Sequence, residues 1–356
     1  MTDIRVRFLT QTDEHGASAR LRAYAFAPYL IERGFEVVVD PLRRPGTGTK
    51  AYAQRFFDRL TGMQTLRQTT DVIVLQRDLI NHLRPWLEKA YAGLGIPMIL
   101  DVDDAIDLRP PGSSPTWRSR LLGSSKKLEQ VASLCDGVVA GNDYLAEKIR
   151  PFNENTHVIP TCLDFVHYPA RKPRQLPGDR KVVIGWIGSP LTTPYLELIR
   201  EPLARLAKKR DIVLRTIGAA PLDWDDVPLD QRKWDDKTER FEVSAFDVGV
   251  MPLSDDEWSR AKCGTKIIQY FAFSVPTIAS PVGMNVQACD EGRAGLLAST
   301  ADEWEAAFEK LLSDAELYTG LSERGRTRGE THYNTGAYAD TWARILREAH
   351  EGARRG

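Results

Sequence analysis

Paired cysteines are missing from this 356-residue chain. Its four, Cys135, Cys162, Cys263 and Cys289, are scattered with no C-x-x-C spacing. That argues against a disulfide framework or a structural zinc site and makes a reducing cytoplasm the expected compartment. There is no surplus of one charge either. Lys and Arg total 48 against 49 Asp and Glu, a net charge of -1, so a protein that coats nucleic acid is excluded and no nucleic-acid partner is expected. No apolar run approaches the ~18–20 residues that a membrane span needs. The opening MTDIRVRFLTQTDEHG is broken by charges every two or three residues, unlike a signal peptide. Internal repeats and low-complexity tracts are absent. The six histidines are dispersed, with no Ser/His/Asp or Cys/His triad context. What is left is ordinary globular composition, and at about 150 residues per domain the length predicts two soluble domains.

Within that frame, short apolar runs alternate with helical patterns. IRVRFLT (4–10), FEVVVD (35–40), DVIVLQ (71–76), PMILDVDD (97–104) and DGVVAG (136–141) read as strands. Helical segments fall at 17–34, closed by Gly34, and at about 83–93, 122–134 and 143–150. HVIPTCLD (157–164) then leads into a basic, proline-rich stretch at 167–181, the candidate linker. A second series follows: KVVIGWIG (181–188), IVLRTIG (212–218), FDVGVMPL (246–253), VPTIAS (275–280) and GLLAS (295–299), with helices at about 194–208, 265–274, 301–313 and 314–331. A last helix at about 335–353 carries Tyr338, Trp342 and Ile345. The pattern predicts an α/β chain of two doubly wound, Rossmann-like parallel sheets, with ligands held in a cleft at the carboxyl ends of the strands.

Residues just past the strands are therefore the candidates. In Lys262-Cys-Gly264-Thr265-Lys266-Ile-Ile-Gln269 a helix begins at Gly264 and Thr265, where unsatisfied N–H groups and the dipole favour an anion. Lys262 and Lys266 suit a diphosphate, and Gln269, one turn on, offers an amide to sugar or ribose hydroxyls; a solvated lysine pair is the alternative. Asp101-Val-Asp103-Asp104 crowds three carboxylates that would raise one another's pKa. A cation, a polyol or a catalytic role explains them better than packing, with metal the weaker option. After the first strand, Gly16, Ser18 and Arg20 form a small-residue entry to a helix. They are able to approach a ligand closely, as is Arg77 just past the third strand; Arg20 and Arg22 have a surface alternative. Gly188 and Ser189, with Thr192 and Thr193, follow the first strand of the second half and could meet phosphate or merely cap a helix. Trp234 could flank a nucleobase or anchor the core. The stretch 50–67 is basic, with Phe56, Leu60 and Met63 on one stripe; an interfacial membrane helix and a helix packed on the sheet both fit.

FDVGVMPL…AKCGTKIIQYFAFSVPTIASPVGMN resembles the donor-site signature of GT-B glycosyltransferases, and the chain over about 4–350 resembles a bacterial member of their retaining family 4 group. The usual acidic pair falls on Ala261 and Gln269, so both acids are absent. The basic pair expected near IGWIGSPLTT is missing too, and Lys262 and Lys266 stand in for it. In PMILDVDDA, Asp103 and Asp104 align with a His-Asp.

The resemblance implies transfer of a sugar from a nucleoside diphosphate sugar to an acceptor hydroxyl, with retention, in bacterial glycan or polysaccharide biosynthesis. The N-terminal domain (1–165, completed by about 335–356) is expected to bind the acceptor and the C-terminal domain (166–334) the donor. Asp103, Asp104, Lys262 and Lys266 would act in catalysis. Donor binding would fall to Gly188, Ser189, Trp234, Gly264, Thr265 and Gln269 beside the lysines. No cofactor or metal is implied beyond the donor itself, the acceptor would be a glycan or lipid-linked, and a peripheral contact at the inner membrane face would run through 50–67. A catalytically degenerate binding or regulatory subunit and a sugar-nucleotide epimerase are the alternatives.

Overall fold

Apolar residues two apart along a strand decide which faces are covered. The computed structural model describes residues 3–43, 49–79, 84–104, 106, 108, 126–168, 174–176, 178 and 180–355, with backbone alone at 49–53 and 354–355. The chain divides into two units, each around its own six-stranded parallel sheet. The first comprises Met1–Cys162, Ala261–Cys263 and Thr335–Gly356. Its strands are β1 (Ile4–Thr12), β2 (Phe35–Arg43), β3 (Val72–Gln76), β4 (Met98–Val102), β5 (Gly137–Ala140) and β6 (Thr156–Val158), in the order β2-β1-β3-β4-β5-β6. Every residue of β3 and β4 is buried, the mark of a parallel sheet covered on both faces. Val6, Phe8, Val72 and Val74 turn one way, into a core closed by Trp342 and Leu346 of the C-terminal helix Thr335–Arg355. Ile73, Leu75 and Leu100 turn the other, under the helices Trp86–Ala92, Lys127–Ala132 and Asp143–Ile149. Trp342 meets Phe8 edge-on at 5.9 Å and Phe26 at 6.1 Å.

The second unit, Leu163–Arg260 and Gly264–Asn334, holds β7 (Val182–Ile187), β8 (Ile212–Ile217), β9 (Leu229–Arg232), β10 (Val248–Met251), β11 (Thr277–Ala279) and β12 (Leu296–Leu297). Their order is β12-β11-β10-β7-β8-β9. In each sheet the first strand has neighbours on both sides, β1 between β2 and β3, and β7 between β8 and β10. Connections leave these strands in opposite directions, which opens a crevice at their carboxyl ends.

Several expectations need correction. The segment 17–34 is not one helix: a turn at Ala17–Ala19 widens into a π-helical turn over Arg20–Tyr24, and a separate helix spans Ala27–Ile31. The Ala25 N–H reaches back to the Arg20 carbonyl at 2.8 Å, and Pro28, which lacks an N–H, opens the second helix. The helix expected at 194–208 begins as a 3-10 helix, Pro190–Ile199, before Arg200–Ala207. Strand β9 and the helix Glu239–Ser244 were not expected. Residue 83 and residues 122–125 of two expected helices, and 169–173, 177 and 179 of the expected linker, lie outside the described residues.

No helix among the described residues is long and apolar enough to cross a membrane. The stretch 50–67 forms the helix Thr49–Thr61 and the start of Met63–Thr69; the side chains of residues 50–53 lie outside the description. Phe56, Leu60 and Met63 pack against the first unit's core, and Arg59 is buried, donating to the Thr10 and Asp40 carbonyls. The stripe Phe56, Leu60 and Met63 is half-buried against that core, as the sheet-packed alternative expects, and the neighbouring Phe57 is largely exposed.

Candidate active site

Strand β4 ends in the acidic run, and the structure divides its three carboxylates. Asp101 is fully buried and takes both oxygens to the equally buried Arg22, whose Nε lies 3.1 Å from each. Arg22 also donates to the carbonyls of Ile159 and Pro160 at 2.7 and 2.9 Å. The pair ties the π-helical turn to the sheet. Asp101 is therefore a packing residue, and Arg22 is not on the surface.

Asp103 and Asp104 share a different cation. Arg77 Nε donates to Asp103 Oδ1 at 2.8 Å and Arg77 Nη2 to Asp104 Oδ2 at 2.9 Å. The other Asp103 oxygen accepts from the Ser18 hydroxyl, which itself accepts from the Gln76 amide. Burial would push the Asp103 carboxyl up; Arg77, then Ser18 and Arg22, outweigh it and hold it below the ordinary range. The expectation that these acids raise one another fails for Asp103, because arginines stand among them. Arg77 adopts φ 71°, in the left-handed region, while its N–H donates to the Asp101 carbonyl at 2.7 Å. A non-glycine residue held there costs of order 1–3 kcal/mol and needs surroundings that enforce it. Gly16 completes the group: a Cβ there would fall 1.9 Å from Thr12 Oγ1, so only glycine lets the loop fold against β1. Arg20 sits half-buried in the π-helical turn. Of the acceptor-side candidates, Ser18 and Arg77 converge on Asp103 beside the β1/β3 switch point.

In the second unit the candidates form a closed circuit of contacts. Lys266 Nζ stands 5.5 Å over the buried Trp186 ring of β7. That ring lies under Gly188, where a Cβ would come within 2.3 Å of it. The Gly188 carbonyl backs onto Gly218, past β8, whose φ of 76° and close neighbour Trp234 admit no side chain. Trp234 Nε1 donates to Glu239 Oε2 at 2.8 Å, and Gln269 Nε2 donates to Glu239 Oε1 at 2.5 Å. Gln269 lies on the helix Thr265–Ala272, three residues from Lys266, which closes the circuit. The helix is capped by Gly264 in the left-handed conformation, φ 65°, and its first N–H groups, from Thr265 on, have no partner within the helix.

The loop after β7 contributes less than its sequence suggests. Thr192 Oγ1 accepts the Ser189 N–H and donates to the Ser189 carbonyl, Thr193 Oγ1 accepts the Ala220 N–H, and the Gly188 N–H goes to Ile217. Capping chemistry wins there, and exposed Ser189 offers its hydroxyl. Lys262 groups with the first unit, where Asn142 donates to the Ala261 and Lys262 carbonyls at 3.0 and 3.1 Å, while Lys266 belongs to the second. Glu239 was missed altogether. Its only sequence cue is an acid in the first turn of a short helix, and of its two partners Trp234 lies five positions away and Gln269 30.

Two doubly wound parallel sheets, each with candidate groups at its switch point, define the GT-B class of fold. Residues 182–314, within the second unit, match the family described as glycosyl transferases group 1. Solved structures cover nearly the whole chain. Anabaena HepE in complex with UDP-glucose superposes with a TM-score of 0.68 at 13% identity, covering 97% of this chain and 100% of its own. Sucrose-phosphate synthase from Thermosynechococcus elongatus gives 0.67 at 15% identity, covering 98% and 100%. WaaG, a glycosyltransferase involved in lipopolysaccharide biosynthesis, gives 0.67 at 12%, covering 96% and 99%. No curated protein matches the chain.

Proposed function

We propose that this protein transfers a glycosyl group from a nucleoside diphosphate sugar to an acceptor hydroxyl, with retention at the anomeric carbon, in the assembly of a bacterial glycan or polysaccharide. The observation that carries the reading is the circuit from Lys266 through Trp186, Gly188, Gly218, Trp234 and Glu239 to Gln269. It brings together, in the second unit, a cation, a helix start with no side-chain cap, an exposed aromatic and hydrogen-bonding groups.

Breaking the anomeric bond builds negative charge on the departing diphosphate. Lys266 and the N–H groups from Thr265 on stabilise that charge as it forms, with Lys262 as a second cation, so their effect is larger in the transition state than in the ground state. No metal or further cofactor is required for that role. Ser189 and Gly188 border the phosphates, Trp234 stacks on the base, and Gln269 meets the sugar or ribose. The first unit receives the acceptor, a glycan or lipid-linked, at Gly16, Ser18, Arg20, Arg77, Asp103 and Asp104. A carboxyl held below its ordinary range accepts protons poorly, so Asp103 orients a hydroxyl and does not act as the general base. The incoming hydroxyl's proton then has the departing phosphate oxygen as its acceptor.

A thermal-shift panel of UDP, GDP, ADP, CMP and dTDP species tests donor binding; saturation at a hundred times Kd adds about 2.7 kcal/mol of stability. Donor consumption by the purified chain then separates a transferase from a non-catalytic binding subunit, and product analysis without acceptor excludes epimerisation. Asp103→Asn should lower turnover far more than it weakens calorimetric nucleotide binding; equal losses in both would remove its assigned role.

A further inference from the structure

The left-handed backbone of Arg77 is enforced over three residues. After β3 the chain runs Arg77-Asp78-Leu79, and each of these is tied to a different element. The Arg77 N–H donates to the Asp101 carbonyl of β4 at 2.7 Å. The Asp78 carbonyl accepts from the Gln11 amide of β1. The Leu79 N–H donates to Glu88 Oε1, on the helix Trp86–Ala92, at 3.0 Å. Lys127, which opens the helix Lys127–Ala132, joins two of these ties. Its Nζ donates to Asp78 Oδ2 at 2.8 Å and stands 3.2 Å from Glu88 Oε1. The side chains of Lys127, Asp78 and Glu88 are at most 1% exposed.

Buried ions of this kind are a poor device for stability, since well-packed apolar side chains of the same size often serve as well. What they add is direction, because a charge-assisted hydrogen bond fixes geometry as well as distance. Arg77 needs that, for a non-glycine residue in the left-handed region persists only where its neighbours over-determine it. Relaxation there would turn the Cα–Cβ bond and draw the guanidinium away from Asp103 and Asp104, which it now joins.

We infer that Lys127, Asp78 and Glu88 are positioning residues for the acceptor-side group of the first unit: they hold the turn after β3, and the turn holds Arg77 between Asp103 and Asp104. This rests on the acceptor-side reading above and deepens it. The trio acts through Arg77, and Lys127 does so from 49 positions beyond Asp78.

The experiment reads the Asp103 carboxyl by NMR titration of the full chain, assigned by its loss in Asp103→Asn, beside steady-state donor consumption. Lys127→Met keeps an unbranched side chain and removes the ammonium. Its Asp103 should hold a proton at least about tenfold more tightly than in wild type, because the Arg77 charge no longer faces it squarely. Donor turnover should fall by up to about a hundredfold, the loss a displaced orienting group gives, with KM for the donor unchanged. A trio that serves stability alone would lower Tm and leave Asp103 where it is. That result in a folded Lys127→Met overturns the inference and leaves the acceptor-side reading standing. If the single variant does not fold, Lys127→Met joined with Asp78→Asn and Glu88→Gln removes all three charges together, and an unmoved Asp103 there has the same force. If Asp103 moves while turnover holds, Asp103 has no part in the reaction, and the acceptor-side reading falls together with the role of the trio.

Discussion

The two switch points handle charge in opposite ways. At β1/β3, Asp101 is matched by Arg22, while Asp103 and Asp104 share Arg77, so the acids are tied to arginines inside the first unit with one negative charge left over. At β7/β10 the cation lies over a ring, Lys266 above Trp186, with a helix start beside it. A cation against an aromatic face gains an attraction of about 0.5–2 kcal/mol from the ring. One against two carboxylates is committed. The difference suits a first unit that presents oriented hydrogen-bonding groups and a second that takes up charge.

Substitutions can break that contrast. The largest effect is expected at Lys266→Ala: kcat/KM for donor consumption should fall at least about a hundredfold, some 3–4 kcal/mol, with the fold intact. Normal turnover would show that the second unit has no cation at work on the leaving group. Next comes Arg77→Gln, which leaves Asp103 with Ser18 as its closest partner. Loss of a partly buried pair of this kind should cost about 2–3 kcal/mol at neutral pH and lower the first unit's Tm by several degrees.

The pH dependence fixes the cause. A carboxyl held low in the folded state adds stability that is present above its unfolded pKa, near 3.8, and is lost as pH falls through the lower folded value. The gap in Tm between wild type and Arg77→Gln should therefore be widest near neutrality and shrink below about pH 4. A gap independent of pH would mean that Arg77 acts through packing alone. The smallest effect is Ser18→Ala, about 1 kcal/mol by thermal unfolding, with the Asp103 carboxyl moving upward in an NMR titration.

Sequence legibility followed the apolar pattern. Strands such as β3 and β4 read as hydrophobic runs because both faces are covered, and the acidic run stood at the end of one of them. Strand β9, Leu229–Arg232, sits at the sheet edge and carries Asp230, Gln231 and Arg232, so it has no apolar signal to read. The segment 17–34 has the composition of one helix, and only the π-helical turn that buries Arg22 against Asp101, 79 positions on, divides it. The division of labour among Asp101, Asp103 and Asp104 depends on Arg22 and Arg77, which lie 79 and 26 positions from their partners, and spacing cannot assign it. Glu239 is the extreme case: its importance arises from Trp234 and Gln269 together, and no local window contains all three.

The placement of Ala261–Cys263 in the first unit, between flanks that belong to the second, has a practical result. Neither unit is one uninterrupted stretch of chain. Expression of residues 1–162 alone would omit Trp342 and uncover the rings of Phe8 and Phe26, so such a fragment should precipitate. Biochemists who want the first unit alone would have to graft the last helix back through a designed connection, as in a circular permutant, because gene truncation cannot deliver it whole.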